Sequence, residues 1–321
     1  MDHSITTFTH VRLSPESLLR PSARAHDEPA DFFRQIHRAP VGTLSLPMTN
    51  IPALQQSALI AGTYNSRRHV ADSSGTKEIP IIQFPKQYRP ILNAIVQSWV
   101  YDAFADEAIA LFLDAELDTE VRHAVEVCFK TAIGTDTQNT INELAERCGW
   151  RGILDYNEII QLDLALGGNE VAEEDYTVLY IRLVSEVLLG RYELPKARMK
   201  TCQLPRHQTG IWQEAQEMVE SLADQNHHSE KVNANLLPRC RDMVKATGNR
   251  MAYETAVTSG KLKSEALQLF ELTCIKSDSG WYCQFEGFGR NEFLQKMQEP
   301  REELIHCSHS FYARIGIQEI R

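Results

Sequence analysis

INELAERCGWRGILDYNEIIQLDLALGGNEVAEEDYTVLYIRLVSEVLLG, residues 141–190, decides the fold class. It opens on helical spacing (Ile141, Leu144, Ala145, Cys148) that stops at Gly149, a residue suited to the left-handed position closing a helix. An irregular connection follows. An acidic cluster, Glu173-Glu174-Asp175, then opens a segment to about Leu189 that is apolar nearly all round. Such a helix is predicted to be the most buried of the long ones. Acidic residues at a helix start are favoured by the dipole when solvated. A carboxylate held at the mouth of a helical bundle can instead take a proton. Glu173 is open to both readings.

Working towards the N-terminus, Asp118 or Thr119 can cap a helix whose face is Val121, Ala124, Val125, Cys128, Phe129, Ala132 and Ile133. Before it, Ile91, Leu92, Ile95, Val96, Trp99, Phe104, Ala108 and Leu111 recur at helical spacing, with Pro90 near the start. Residues 70–79 read as a polar loop. From about Phe32 to Ser66 the pattern is helical, with a break or a new start between Leu46 and Ala53 set by Pro47 and Pro52. Ala53, Leu54, Ala58, Ala61 and Gly62 give that helix a small face for close packing. Ile5 to Leu13 alternates as a β-strand would, and a turn follows at Ser14-Pro15-Glu16. A lone strand needs a partner.

Towards the C-terminus, residues 191–209 read as a linker containing Pro195 and Pro205. A second helical block follows over Ile211–Ala223, Val232–Gly260, Ser264–Ile275 and Arg290–Ser308. Residues 280–289, GWYCQFEGFG, read as a loop packed on the bundle. Long amphipathic helices with short connections imply an all-α fold, an antiparallel bundle with further helices after it.

The composition fits that class. The chain has 321 residues, 43% hydrophobic and 24% charged, enough for a large core. A net charge of −10 argues against a nucleic-acid partner. No apolar run is long enough to cross a bilayer, and the start, MDHSITTFTH, shows no secretory signal. Seven scattered cysteines without C-x-x-C spacing read as reduced intracellular thiols.

The order of motifs resembles the C-terminal part of the acyl-CoA dehydrogenase and acyl-CoA oxidase superfamily, most closely the oxidases and related fungal proteins. FTHVRLSPESLL (8–19) is similar to the last middle-domain strand and its turn. GTYNSRRHV with IPIIQFPKQYRPIL is similar to Y-x-x-x-R-R and P-I-x-x-F-Q-x-Q-x-x-x-L. ERCGWRG (146–152) resembles the C-G-G-x-G connection, and EEDYTVL (173–179) resembles E-G-[DE]-N-T-V-L. The similarity spans roughly residues 5–195. It implies a dehydrogenase-type four-helix bundle plus a second helical block, with 1–35 a middle-domain remnant, 36–195 the bundle and 196–321 the C-terminal block.

The resemblance also implies FAD and an acyl-thioester or related small hydrophobic substrate. Glu173 would remove the proton α to the thioester. Arg67 or Arg68 would meet the FAD phosphate, usually of a neighbouring subunit. Gln87 stands near the place of the family's F-Q glutamine, which is Pro85 here. Gly149 and Gly152 would be where backbone nears the cofactor, with Trp150 and Glu174 in place of family glycines. A homo-oligomer, or a partner subunit supplying the family's other domains, and a cytoplasmic or peroxisomal setting follow by the same analogy. Two other functions compete: a flavin-free cyclase or isomerase of a biosynthetic pathway using the bundle cavity, and a non-catalytic subunit or fragment.

Other chemistry-bearing residues have plainer explanations. Arg67 and Arg68 also fit a solvated helix end. Adjacent His227 and His228 do not converge on one metal, so no metal site is expected. Cys148 at a helix end, with no histidine near it in sequence, reads as packed rather than nucleophilic. Trp99 and Phe104 fit the core, and Trp281, Tyr282 and Phe285 fit packing before pocket lining.

Overall fold

A computed structural model describes residues 5–17, 38–173, 175–222 and 229–296. Eleven α-helices form these regions: α1 (Arg38–Ser45), α2 (Asn50–Arg67), α3 (Pro85–Leu113), α4 (Thr119–Arg147), α5 (Ile159–Val171), α6 (Tyr176–Leu188), α7 (Gln203–Ser221), α8 (Glu230–Ser259), α9 (Ser264–Ser277), α10 (Ser279–Phe285) and α11 (Arg290–Lys296). The sheet among the described residues is a hairpin of β1 (His69–Ala71) and β2 (Glu78–Pro80), pairing Val70 with Ile79. The fold is all-α.

The long helices α3 and α4 form the centre, with α2 on one side and α8 on the other. They run antiparallel. Thr140 donates to Gln97 Oε1 at 2.8 Å, and Tyr101 donates to Asp136 Oδ2 at 2.7 Å. The same Asp136 binds Lys245 Nζ at 2.7 Å and Asn249 Nδ2 at 3.2 Å, which draws α8 onto the pair. Gly248 lets α8 approach α4 closely, because a β-carbon there would come within 2.4 Å of the Cys128 carbonyl oxygen. One apolar core therefore runs from Leu44 on α1 to Cys274 on α9.

Several elements depart from the sequence reading, each for a local reason. Residues 5–13 carry no strand, and Ile5, Phe8, Val11 and Leu13 are exposed, because no partner strand lies beside them among the described residues. The 3₁₀ turn Pro15–Ser17 falls where the turn was expected. The break before α2 is the 3₁₀ turn Leu46–Thr49. Residues 70–79 are largely a hairpin, its loop held by Asp72 Oδ1, which accepts from the backbone of Ser74 and Thr76. Pro90 lies inside α3, which starts earlier with Pro85 in its first turn, where a missing N–H costs little.

Helix α4 is continuous through the two segments read separately. Helix α5 occupies part of the expected irregular connection. Helix α6 is not the most buried: Tyr176, Leu179, Leu183 and Val184 form one inward stripe, while Val178 is 60% exposed. The linker ends at Gln203, where α7 begins with Pro205 still in its first turn. Residues 279–285 form α10 rather than a loop, with Asp278 Oδ1 accepting from Trp281 N at its start. Of the last predicted helix, Arg290–Lys296 is described and residues 297–308 lie outside the described residues. Phe104 is fully buried and Trp99 packs against the core.

Candidate functional site

Glu173 sits in the short turn between α5 and α6, and this turn is pinned from three sides. Ala172 caps α5, its N–H bonding Gly168 O at 3.2 Å. Lys130 on α4, itself fully buried, donates from Nζ to Ala172 O at 2.8 Å and Glu173 O at 3.2 Å. Thr43 on α1 donates to Glu173 O at 3.0 Å. Asp175 caps α6, accepting from Thr177 N at 2.6 Å. Glu173 itself has φ 49°, a left-handed conformation that non-glycine residues seldom adopt. Such a conformation persists where the surroundings over-determine it, and the buried lysine and Thr43 do so here.

The side chain lies against α1. A β-carbon at Gly42 would come within 2.4 Å of Glu173 Cγ, so the glycine makes room for the acidic side chain. The carboxylate end is open to solvent. Tyr176 is buried beneath the turn, with Lys130 Nζ 5.1 Å from its ring centroid. Its hydroxyl occupies the space that a side chain at Gly134 would fill. Nearby, burial pushes up the carboxyls of Glu170 and Asp163, and for Glu170 the neighbouring Asp163 adds to the rise while Arg241 and Lys130 oppose it. The turn thus presents the exposed Glu173 on a fixed backbone, on the same side of α4 as Glu170, whose carboxyl holds its proton more tightly than usual.

The remaining sequence candidates gather elsewhere. Arg67 ends α2 and Arg68 caps it, both exposed, and Arg68 O accepts from Ile81 N at 2.8 Å. Gln87 lies in the first turn of α3, and its Oε1 is buried without a partner among the described residues. The antiparallel register of α3 and α4 places Gln87 opposite the 149–152 connection. Gly149 has φ 59° and open space where a side chain would stand. At Gly152 a β-carbon would come within 2.1 Å of Ala145 O, which gives this glycine a packing reason of its own. Trp150 between them is 67% exposed.

These two groups lie at opposite ends of the bundle. Asn169 near the end of α5 bonds Thr49 at the start of α2, while Arg67 closes α2. The 18 residues of α2 separate the ends, a rise of about 27 Å. One chain does not bring Glu173 to Arg67, Arg68 or Gln87.

Lys130 and Tyr176 are site residues that the sequence reading passed over. A signal was available: Lys130 stands inside the apolar run Val127–Ile133, where a cation must find partners. Cys148 is packed, 3% exposed, with burial pushing its thiol up to about 11, so it is no ready nucleophile. His227 and His228 lie outside the described residues. Among the described residues no group of three or more His, Cys, Asp or Glu is arranged to hold a metal. No described helix is long and apolar enough to cross a membrane.

Comparison with known proteins matches residues 44–188 to the family model described as the acyl-CoA oxidase C-alpha1 domain. Human peroxisomal acyl-coenzyme A oxidase 3 is 27% identical over 217 residues, covering 59% of this chain and 30% of the relative. Acyl-CoA oxidase1 of Yarrowia lipolytica superposes with a TM-score of 0.73 at 14% identity, over 88% of this chain and 51% of that one. Acyl-CoA oxidase-2 of Caenorhabditis elegans, solved with FAD, ascaroside-CoA and ATP, gives 0.72 at 12% identity, over 89% of this chain and 49% of that one. The chain thus spans under a third of the curated relative and about half of the solved ones.

Proposed function

We propose, from a helical bundle that is acyl-CoA oxidase-like over residues 44–188, that the chain acts on acyl thioesters with Glu173 as the base that takes the α proton. The observation that carries this reading is the pinned left-handed turn at Glu173, which spends a buried lysine on fixing one exposed carboxylate. Lys130 and Thr43 hold the backbone, and Gly42 leaves room for the side chain to face a substrate.

The opposite end of the bundle has groups suited to FAD. The guanidinium groups of Arg67 and Arg68 match a phosphate, and Gln87 Oε1, without a partner among the described residues, can accept an N–H or O–H. Gly149 leaves open space beside them, and Gly152 stays a candidate for backbone approach. FAD, when bound, supplies the hydride acceptor. Because the two groups are a bundle length apart, the reading needs a neighbouring subunit, with Glu173 of one chain meeting the cofactor end of another. In this account residues 36–195 form the unit that carries both ends, 196–321 a separate C-terminal block whose described helices α8 and α9 pack on it, and the setting is peroxisomal or cytoplasmic.

The test is the visible spectrum of the purified protein after incubation with FAD and desalting, alongside its mass in solution. The account expects a retained flavin band in an oligomeric fraction, lost in the double variant Arg67→Ala/Arg68→Ala. A protein that retains no flavin, or retains it equally in the double variant, contradicts this assignment of the cofactor end.

A further inference from the structure

A cavity of about 670 Å³ opens where the 196–200 segment, α7 and α10 meet, and none of the residues discussed for the proposed reaction lines it. Its size suits a small molecule. One wall is aromatic. Trp281 is fixed by donation of its indole N–H to Glu214 Oε1 at 3.0 Å, and it packs over Gly210, where a β-carbon would come within 2.3 Å of Cζ2. Phe285 leans on Trp281 with ring centroids 5.2 Å apart at 35°, yet remains 53% exposed. The indole anchors the phenyl ring, and the phenyl ring offers its surface to the cavity.

The rim is cationic in a chain whose net charge is −10. Lys196, Lys200 and Arg206 line it against a single carboxylate, Glu286. Glu286 engages Arg206 at 3.0 Å and neutralises that guanidinium. Lys196 meets Glu193 at 3.4 Å, but both side chains are more than 80% exposed, so water screens the pair. Lys200 is exposed and has no hydrogen bond or ion pair among the described residues. Lys200, with no paired carboxylate, and Lys196, with only a screened one, therefore stand beside an exposed aromatic surface.

We propose that this cavity binds an organic anion, with a planar apolar body against Phe285 and a phosphate or carboxylate held by Lys196 and Lys200. Apolar contact and charge act together, since either alone is weak at an open site. The site is separate from the Glu173 turn, so the two assignments stand or fall independently.

Calorimetric titration of the full chain with 1-naphthyl phosphate, 1-naphthoate and inorganic phosphate tests it. Saturable one-to-one binding of either naphthyl compound is expected, with Lys200→Ala and Phe285→Ala each weakening it about three- to tenfold. Both positions are exposed, and circular dichroism checks that the variants fold. Lys263→Ala, an exposed position away from the cavity, is expected to bind as the parent does. Absence of saturable binding, or binding unchanged in both cavity variants, overturns the proposal. Inorganic phosphate binding as tightly as 1-naphthyl phosphate overturns its aromatic half.

Discussion

Replacing Glu254 with alanine is expected to lower the unfolding free energy by about 3–5 kcal/mol, measured by urea denaturation. Glu254 is fully buried on α8, and its Oε2 accepts from Arg250 Nη1 at 2.7 Å. Its Oε1 accepts from the backbone N–H groups of Arg198 and Met199 at 2.8 and 2.9 Å. Arg250, 1% exposed, also donates to Gln208 Oε1 and to Pro195 O, both at 2.7 Å. The pair thus ties residues 195–199 to α8 and α7. Alanine leaves a buried guanidinium without its counter-charge and two backbone N–H groups without acceptors, and that orphaning, more than the lost attraction, sets the cost. The paired variant Arg250→Met/Glu254→Leu is expected to recover part of the loss, since it removes the charge with its partner. A cost below about 1 kcal/mol for Glu254→Ala would mean that water reaches this network.

Lys130→Met is expected to cost about 2–4 kcal/mol, because two carbonyls lose a charged donor. Methionine keeps the length and apolar contacts of the stem, so the loss reports the ammonium group. The turn from Ala172 to Asp175 should loosen with it, which faster amide exchange at Asp175 and Thr177 would register. If the turn is as protected in the variant as in the parent, Thr43 and the Asp175 cap suffice and Lys130 has another purpose.

What the sequence disclosed depended on how local each determinant is. Helix α3 was legible because its apolar residues recur over 29 residues at one spacing. Helix α5 was not, because 13 residues containing Gly167-Gly168 give a weak pattern beside long neighbours. Helix α6 misled because apolar side chains such as Val178 also stand on its outer face. Pro205 read as a breaker although a first-turn proline breaks nothing. The Glu173 turn was found through a family motif. Its mechanical basis, Lys130 some 43 positions away, is a tertiary fact that spacing does not carry. The clustering of Arg67, Arg68, Gln87 and Gly149 at one end likewise follows from the antiparallel packing of α3 on α4.

The central claim is that Glu173 takes a proton from the carbon α to a thioester. Exchange of that proton for deuterium needs no hydride acceptor, so it isolates the base. Incubation of the oligomeric protein, its flavin first reduced with dithionite so that it takes no hydride, with a saturated acyl-CoA in D₂O, followed by mass spectrometry of the recovered thioester, gives the rate directly. The account predicts deuterium uptake at the α position, reduced about 10²- to 10⁴-fold in Glu173→Gln. Uptake that is absent from the parent protein, or equal in Glu173→Gln, would contradict it.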